Sequence, residues 1–306
     1  MSQRHKRILV TGATGTQGSA TIAQLLEQGY SARAMTRNPT SEPAKALSEI
    51  GVEVVHGDYD NPASLATALE GISGVFSVQV PSLTGDDTEY RHAVALIEAA
   101  KRAKIQHFVH TSVSGIDLYK RVLPEQEHLW DRSFWNSKLH IEAAVQAANF
   151  PVVTILRPAF LMESLIAPKV NFAFPELRQG ELVIAMQPNT KLAMVAAQDI
   201  GKFVVTAFNH PDRFNGKQIE LAGDQLTIPE AAAVLSRVSR QSVSAVCLTP
   251  EAAIARGKHP VMVQHQAWAN EVGYPIAIEE LQEYEGISLT SFATWVEMNQ
   301  NAINVN

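Results

Sequence analysis

Phe134 and Lys138 stand four residues apart in Ser133-Phe-Trp-Asn-Ser-Lys138, so on a helix they share one face. A lysine beneath a nicotinamide ribose, with a tyrosine one turn earlier, makes a proton-donating pair, because the ammonium lowers the phenol's pKa. Here the earlier position is Phe134, which has no proton to give. Lys138 is the candidate catalytic group, without its usual acid. A second chemistry is written in Thr11-Gly-Ala-Thr-Gly-Thr-Gln-Gly18. An apolar run, Ile8-Leu9-Val10, leads into glycines at 12, 15 and 18, and a stripe of Ile22, Leu25 and Leu26 follows. Strand, glycine turn and helix N-terminus together form an anion site, where free N–H groups and the helix dipole favour a phosphate. Gly12, Thr14, Gly15, Thr16, Gln17 and Gly18 are its expected lining. The spacing is Gly-x-x-Gly-x-x-Gly rather than the more familiar Gly-x-Gly-x-x-Gly.

Arg37 directly follows a second strand pattern, Ser31–Thr36. An acid near this point of a dinucleotide-binding fold holds the adenosine ribose, whereas an arginine accommodates a 2′-phosphate. Thr36-Arg-Asn-Pro39 has no acid, so NADP(H) is the expected cofactor. Asp58 closes a third strand. It has two open roles, an acceptor for the adenine amino group or a turn-forming carboxylate. Gln79 and Pro158 follow later strands and join the expected cofactor edge. Ser112 and Ser114 offer hydroxyls to a substrate oxygen, with loop bonding as their alternative. Phe134, Phe160 and Met162 complete the expected substrate pocket.

These residues need a scaffold that brings strand ends together. Strand patterns at Ile8–Val10, 31–36, 52–55, 74–80, 107–111 and 152–156 alternate with helical patterns at 16–29, 44–50, 62–69, 88–103 and 133–148. Such alternation predicts an α/β, doubly wound parallel sheet with right-handed crossovers, whose ligands bind at the carboxyl ends of the strands. Gly12, Arg37, Asp58, Val80, Ser112 and Pro158 all fall there. The second half reads as a helix over 197–209, strands at 218–221 and 243–248, a capping box Thr227-Ile-Pro-Glu230, and further helices. The expected division is a dinucleotide-binding domain over 1–157, with segments near 194–224 returning to it. A smaller, mostly α domain over 158–193 and 225–306 is expected for substrate or partner.

Composition narrows the function classes. The 306 residues are 46% hydrophobic and 18% charged, the balance of a globular chain. A net charge of -6 without a long basic run argues against direct nucleic-acid binding. The single cysteine, Cys247, lies in an apolar run and reads as a buried thiol. His259 and His265 lack metal-ligand spacing and nearby acids, so no metal is expected. No Gly-x-Ser-x-Gly elbow occurs. No apolar stretch is long enough to cross a membrane, and the short run after Arg4, Lys6 and Arg7 is no signal peptide, which makes a cytoplasmic protein the default expectation. The sequence carries no signal for an oligomeric state.

Thr11–Gly18, Arg37, Gly57-Asp58, Thr111-Ser-Val-Ser114 and Leu156-Arg-Pro158 resemble, in order and spacing, the NmrA-like proteins, atypical members of the short-chain dehydrogenase/reductase superfamily. The resemblance implies a Rossmann domain that binds NADP(H) and a smaller C-terminal domain. It also implies that Lys138 matches the family lysine, while Phe134 departs from the superfamily's Tyr-x-x-x-Lys pair. The family includes reductases that work without that tyrosine and redox sensors that bind a dinucleotide without turnover. Two functions follow as expectations. One is an NADPH-dependent reductase of a small quinone- or enone-like acceptor. The other is a sensor whose loops at Gln79–Thr88 and Leu118–Asp131 are ordered by the dinucleotide and read by a regulatory protein partner. The polar group Glu125, Glu127, His128 and Asp131 reads as a solvated loop, with a flap over the site as its alternative. A sugar-nucleotide epimerase is the weakest reading, because Phe134 breaks the proton relay it needs.

Overall fold

The computed structural model describes residues 6–82, 84–122, 131–274, 276–283, 286–303 and 305. The polar residues Glu125, Glu127 and His128 lie outside the described residues. Contacts divide the chain into two compact units. One comprises Met1–Val113, Ser133–Arg157 and Ile200–Ile219, the other Ser114–Arg132, Pro158–Asp199 and Glu220–Asn306. The division expected near residue 157 kept residues 114–122 with the dinucleotide half, whereas their contacts group them with the second unit.

The first unit is built on β1 (Arg7–Val10), β2 (Ser31–Thr36), β3 (Glu53–His56), β4 (Gly74–Ser77), β5 (His107–Thr111) and β6 (Val152–Pro158). Its helices are α1 (Thr16–Glu27), α2 (Glu42–Glu49), α3 (Pro62–Ala68) and α4 (Thr88–Arg102). Past a one-turn α5 (Ile116–Tyr119), which belongs to the second unit, comes α6 (Arg132–Ala147). The pairs β3–β2, β2–β1, β1–β4, β4–β5 and β5–β6 are all parallel. This is the Rossmann-type α/β sheet expected from the alternation. The chain runs outward from β1 through β2 to β3, then returns to β4 on the other side of β1. That reversal opens a crevice at the carboxyl ends of β1 and β4, where doubly wound folds take ligands.

Local chemistry sets the element ends. The Asn61 side chain accepts the amides of Ala63 and Ser64, and Pro62 supplies the first helical residue of α3, as Asn-Pro promises. β4 stops at Ser77, three residues short of the expected strand. Thr11 Oγ1 takes the Val78 amide at 2.8 Å and donates to the Val78 carbonyl at 3.0 Å, so a side chain replaces the strand ladder. α4 and α6 cover one face of the sheet. Phe108 stacks on Phe150 at 4.7 Å between centroids, packed with Val75, Leu96, Ile141 and Val145. At the end of β6, the guanidinium of Arg157 donates to both oxygens of Glu142 on α6, at 3.0 and 2.7 Å. Both side chains are buried, so the two charges compensate each other.

The second unit carries many short helices and two small sheets. β7 (Phe160–Leu161), β9 (Lys191–Val195) and β11 (Asp224–Thr227) form one in the order β11-β9-β7. β8 (Glu181–Ile184) and β12 (Ser244–Cys247) pair in parallel as the other. β10 (Lys217–Leu221) is the edge strand of the large sheet beside β6. The helix over Ile228–Ser239 begins in a complete capping box between Thr227 and Glu230. Asp199, an acid in the first turn of the helix over Ala197–Asn209, is fully buried. It accepts the amide and hydroxyl of Thr290 at 2.7 and 2.9 Å.

Candidate functional site

The glycine segment forms a cradle in the first unit. Gly12 has φ +57, a conformation that favours glycine. A β-carbon there would lie 3.2 Å from Val78 Cβ, so the turn is held tight against the end of β4. Gly15 is the N-cap residue of α1 and gives no side-chain cap. The amides of Thr16, Gln17 and Gly18 therefore have no intrahelical acceptor and no capping oxygen. A helix N-terminus left in that state fits an anion. Thr14 and Gly15 are exposed, while Thr16 and Gln17 are half-buried. Gln17 is fixed from across the sheet, its Oε1 accepting from Thr111 Oγ1 at 2.7 Å.

The neighbouring strand ends supply the rest. Arg37 is exposed and makes no hydrogen bond or salt bridge among the described residues. Its guanidinium remains free for an incoming phosphate. Asp58 Oδ1 accepts the Asp60 amide at 3.1 Å, so this carboxylate takes the turn-forming role with at least one oxygen. The sequence reading did not single out Tyr59. Its hydroxyl donates to the Val78 carbonyl at 3.0 Å, beside Gly12, and its ring stacks on His92 at 4.9 Å. Burial raises the phenol's pKa, so it stays protonated. Gln79 is buried and donates to Ser77 Oγ at 3.0 Å.

A polar cluster lies under the ends of β4 and β5. Lys138 on α6 is 6% exposed and donates to Glu89 Oε1 at 2.5 Å. Ser137 donates to the other Glu89 oxygen at 2.7 Å. The Lys138 Nζ stands 5.4 Å from the centroid of the Phe134 ring, so the two residues share a face as their spacing requires. His110 Nδ1 pairs with Ser77 Oγ at 3.2 Å, while its Nε2 is buried without a partner among the described residues. Burial, and next the charge of Lys138, pushes the His110 pKa down to about 3, so the ring is neutral. Ser112 follows β5. Its amide donates to the Leu156 carbonyl at 2.7 Å, and its Oγ is buried without a hydrogen-bond partner among the described residues. A buried hydroxyl left bare is costly unless something brings it an acceptor or donor.

The structure groups Gly12–Gly18, Arg37, Asp58, Gln79, Ser112, Phe134 and Lys138 in the first unit. Ser114, Pro158, Phe160 and Met162 belong to the second. There the Ser114 amide donates to the Pro158 carbonyl at 3.0 Å, and Phe160 meets Phe174 edge-on at 6.0 Å. Met162 is fully buried in that unit's interior. Cys247 is partly buried and its thiol pKa is raised by burial, which disfavours a nucleophilic thiolate.

The first unit thus fits a phosphorylated dinucleotide: a glycine turn at positive φ, an uncapped helix N-terminus, a free arginine and a bare buried hydroxyl. The model of the NmrA-like family matches residues 4–297. The photosystem II assembly factor Ycf39 of Trieres chinensis is 30% identical over 212 residues, covering 68% of this chain and 61% of that protein's length. An NAD(P)H azoreductase of Xenophilus azovorans is 29% identical over 246 residues, covering 80% of this chain and 78% of its own. The NADPH-dependent quinone oxidoreductase of Escherichia coli, crystallised with NADPH, superposes with a TM-score of 0.76 at 23% identity. That likeness in fold covers 96% of this chain and all of the other.

Proposed function

The chain belongs to the NmrA-like family, and from that premise we propose that it is an NADPH-dependent reductase of small quinone- or enone-like acceptors. The observation that carries this reading is the buried Lys138 ammonium, held at the carboxyl end of the sheet in the unit that contains the glycine cradle. The amides of Thr16, Gln17 and Gly18 bind the pyrophosphate, and Arg37 binds the 2′-phosphate. Lys138 donates to the nicotinamide ribose hydroxyls. Bound NADPH supplies a hydride. Ser112 Oγ, free of protein partners, donates to a substrate oxygen. Phe134 delivers no proton, so the acceptor must be one whose reduced form takes its proton from solvent. Quinones and enones meet that condition, and the similar proteins include an NAD(P)H azoreductase and an NADPH-dependent quinone oxidoreductase. Asp58 and Gln79 complete the cofactor edge in this reading.

The test is turnover. Purified protein is mixed with NADPH and a panel of quinones and enones, and loss of the nicotinamide absorbance is followed beside a Lys138→Ala control. Acceptor-dependent loss that the control lacks supports the reductase. Tight NADPH binding with no turnover on any acceptor supports a second reading, a dinucleotide-responsive regulator of a protein partner. Phe134 in the acid's place favours that second reading, as does the similarity to an assembly factor.

A further inference from the structure

Glu89 is the second residue of α4, where the helix dipole favours an anion. A carboxylate in a first turn is ordinarily solvated, but this one turns inward and is 2% exposed. Both its oxygens are taken by α6, Oε1 by Lys138 and Oε2 by Ser137. A buried ammonium is costly unless an anion compensates it. Among the described residues, Glu89 is the only one that does so for Lys138. The other titratable group facing Lys138, from β5, is His110, which burial keeps neutral.

Here the Glu89 bond uses one of the three ammonium hydrogens, and the other two have no acceptor among the described residues. The lysine is thus anchored from one side by Glu89, with two hydrogens left for a ligand. Resting on the reading of Lys138 as the ribose-binding group, we propose that Glu89 is the positioning residue of the site. It fixes the Lys138 Nζ and pairs with its charge, so that the two remaining hydrogens meet the cofactor's hydroxyls. Ser137 holds the carboxylate in place.

The experiment measures NADPH affinity by calorimetry from about pH 6 to pH 9, the range in which an uncompensated buried lysine can lose its proton. The proteins are the unmodified chain, Glu89→Gln, Lys138→Met and the double variant, with thermal melts to verify folding. Glu89→Gln should weaken NADPH roughly tenfold and make affinity fall as pH rises, an inflection absent from the unmodified chain. In the Lys138→Met background the same change should alter affinity by less than about twofold, because the two residues act as one unit. Should Glu89→Gln fail to fold, Glu89→Leu/Lys138→Met is compared with Lys138→Met alone, since removing both charges leaves none uncompensated. Equal affinities of those two proteins support the proposal. Unaltered affinity and pH profile in Glu89→Gln, or a further loss on top of Lys138→Met, overturn it. Failure of the unmodified chain to bind NADPH overturns the cofactor reading on which the proposal stands.

Discussion

Gly18 packs directly beneath Gly12: a β-carbon on Gly18 would fall on the Gly12 carbonyl oxygen and come within 2.7 Å of Ala13 Cα. Both obstacles are backbone, so the helix could accept a side chain only by moving away from the turn. Gly15 differs. Its φ of -92 suits any residue, and a β-carbon there would meet only the Gly12 carbonyl, at 3.2 Å. Gly18→Ala should therefore cost about 1–3 kcal/mol of stability and weaken NADPH binding, while Gly15→Ala folds nearly normally. Thermal melts decide this, at roughly 2–4 °C per kcal/mol for a chain of this size. Equal melting temperatures for the two variants would contradict the packing argument.

The missing acid makes a kinetic prediction. Phe134 lies on the Lys138 face of α6 and has no proton for a developing alkoxide. The unmodified protein should reduce simple unactivated ketones negligibly. Phe134→Tyr should raise that rate, since a positioned acid is typically worth about 10²–10⁴-fold, with little effect on quinones. Brisk ketone reduction by the unmodified chain would show that another group supplies the proton.

Buried histidines make stability pH-dependent. Burial, with a smaller effect from Lys6, pushes the His107 pKa down to about 3, and burial and Lys138 do the same at His110. Unfolded histidine titrates near about 6.5. Between those values the unfolded chain binds more protons, so stability is full above about pH 6.5 and falls as pH drops. Each ring contributes a slope of about 1.4 kcal/mol per pH unit once well below that point. In urea melts at pH 7 and pH 5, His107→Gln/His110→Gln should lose less stability over the interval than the unmodified chain. Equal losses would mean these rings do not govern the acid side.

Much of this architecture was legible because its signals are local. The apolar run into Gly12, the Asn61-Pro62 start of α3, and Thr227 with Glu230 each announce an element within a few residues. The strands at Glu181–Ile184 and Lys191–Val195 were not legible. Each is only four or five residues long, and their partners, Ser244–Cys247 and Asp224–Thr227, lie far along the chain. The site divides in the same way. Gly12, Arg37 and Lys138 stand out by type and spacing. Glu89 does not, because an acid in a helix's first turn looks like ordinary capping until the fold turns it inward. Tyr59 and the Gln17–Thr111 bond, which joins residues far apart in the chain, likewise depend on strand order rather than on any nearby motif.

The central claim is that the first unit holds a dinucleotide carrying a 2′-phosphate, and titration calorimetry with NADPH and NADH tests it most directly. Arg37 is exposed, without a hydrogen bond or salt bridge among the described residues, and directly follows β2, where an acid would otherwise hold the ribose. NADPH should bind more tightly than NADH, with the advantage lost in Arg37→Glu. A charge-assisted contact of about 1.5–3 kcal/mol corresponds to a preference of roughly 10- to 150-fold. Equal affinities for the two cofactors, or a preference for NADPH that survives Arg37→Glu, would contradict it.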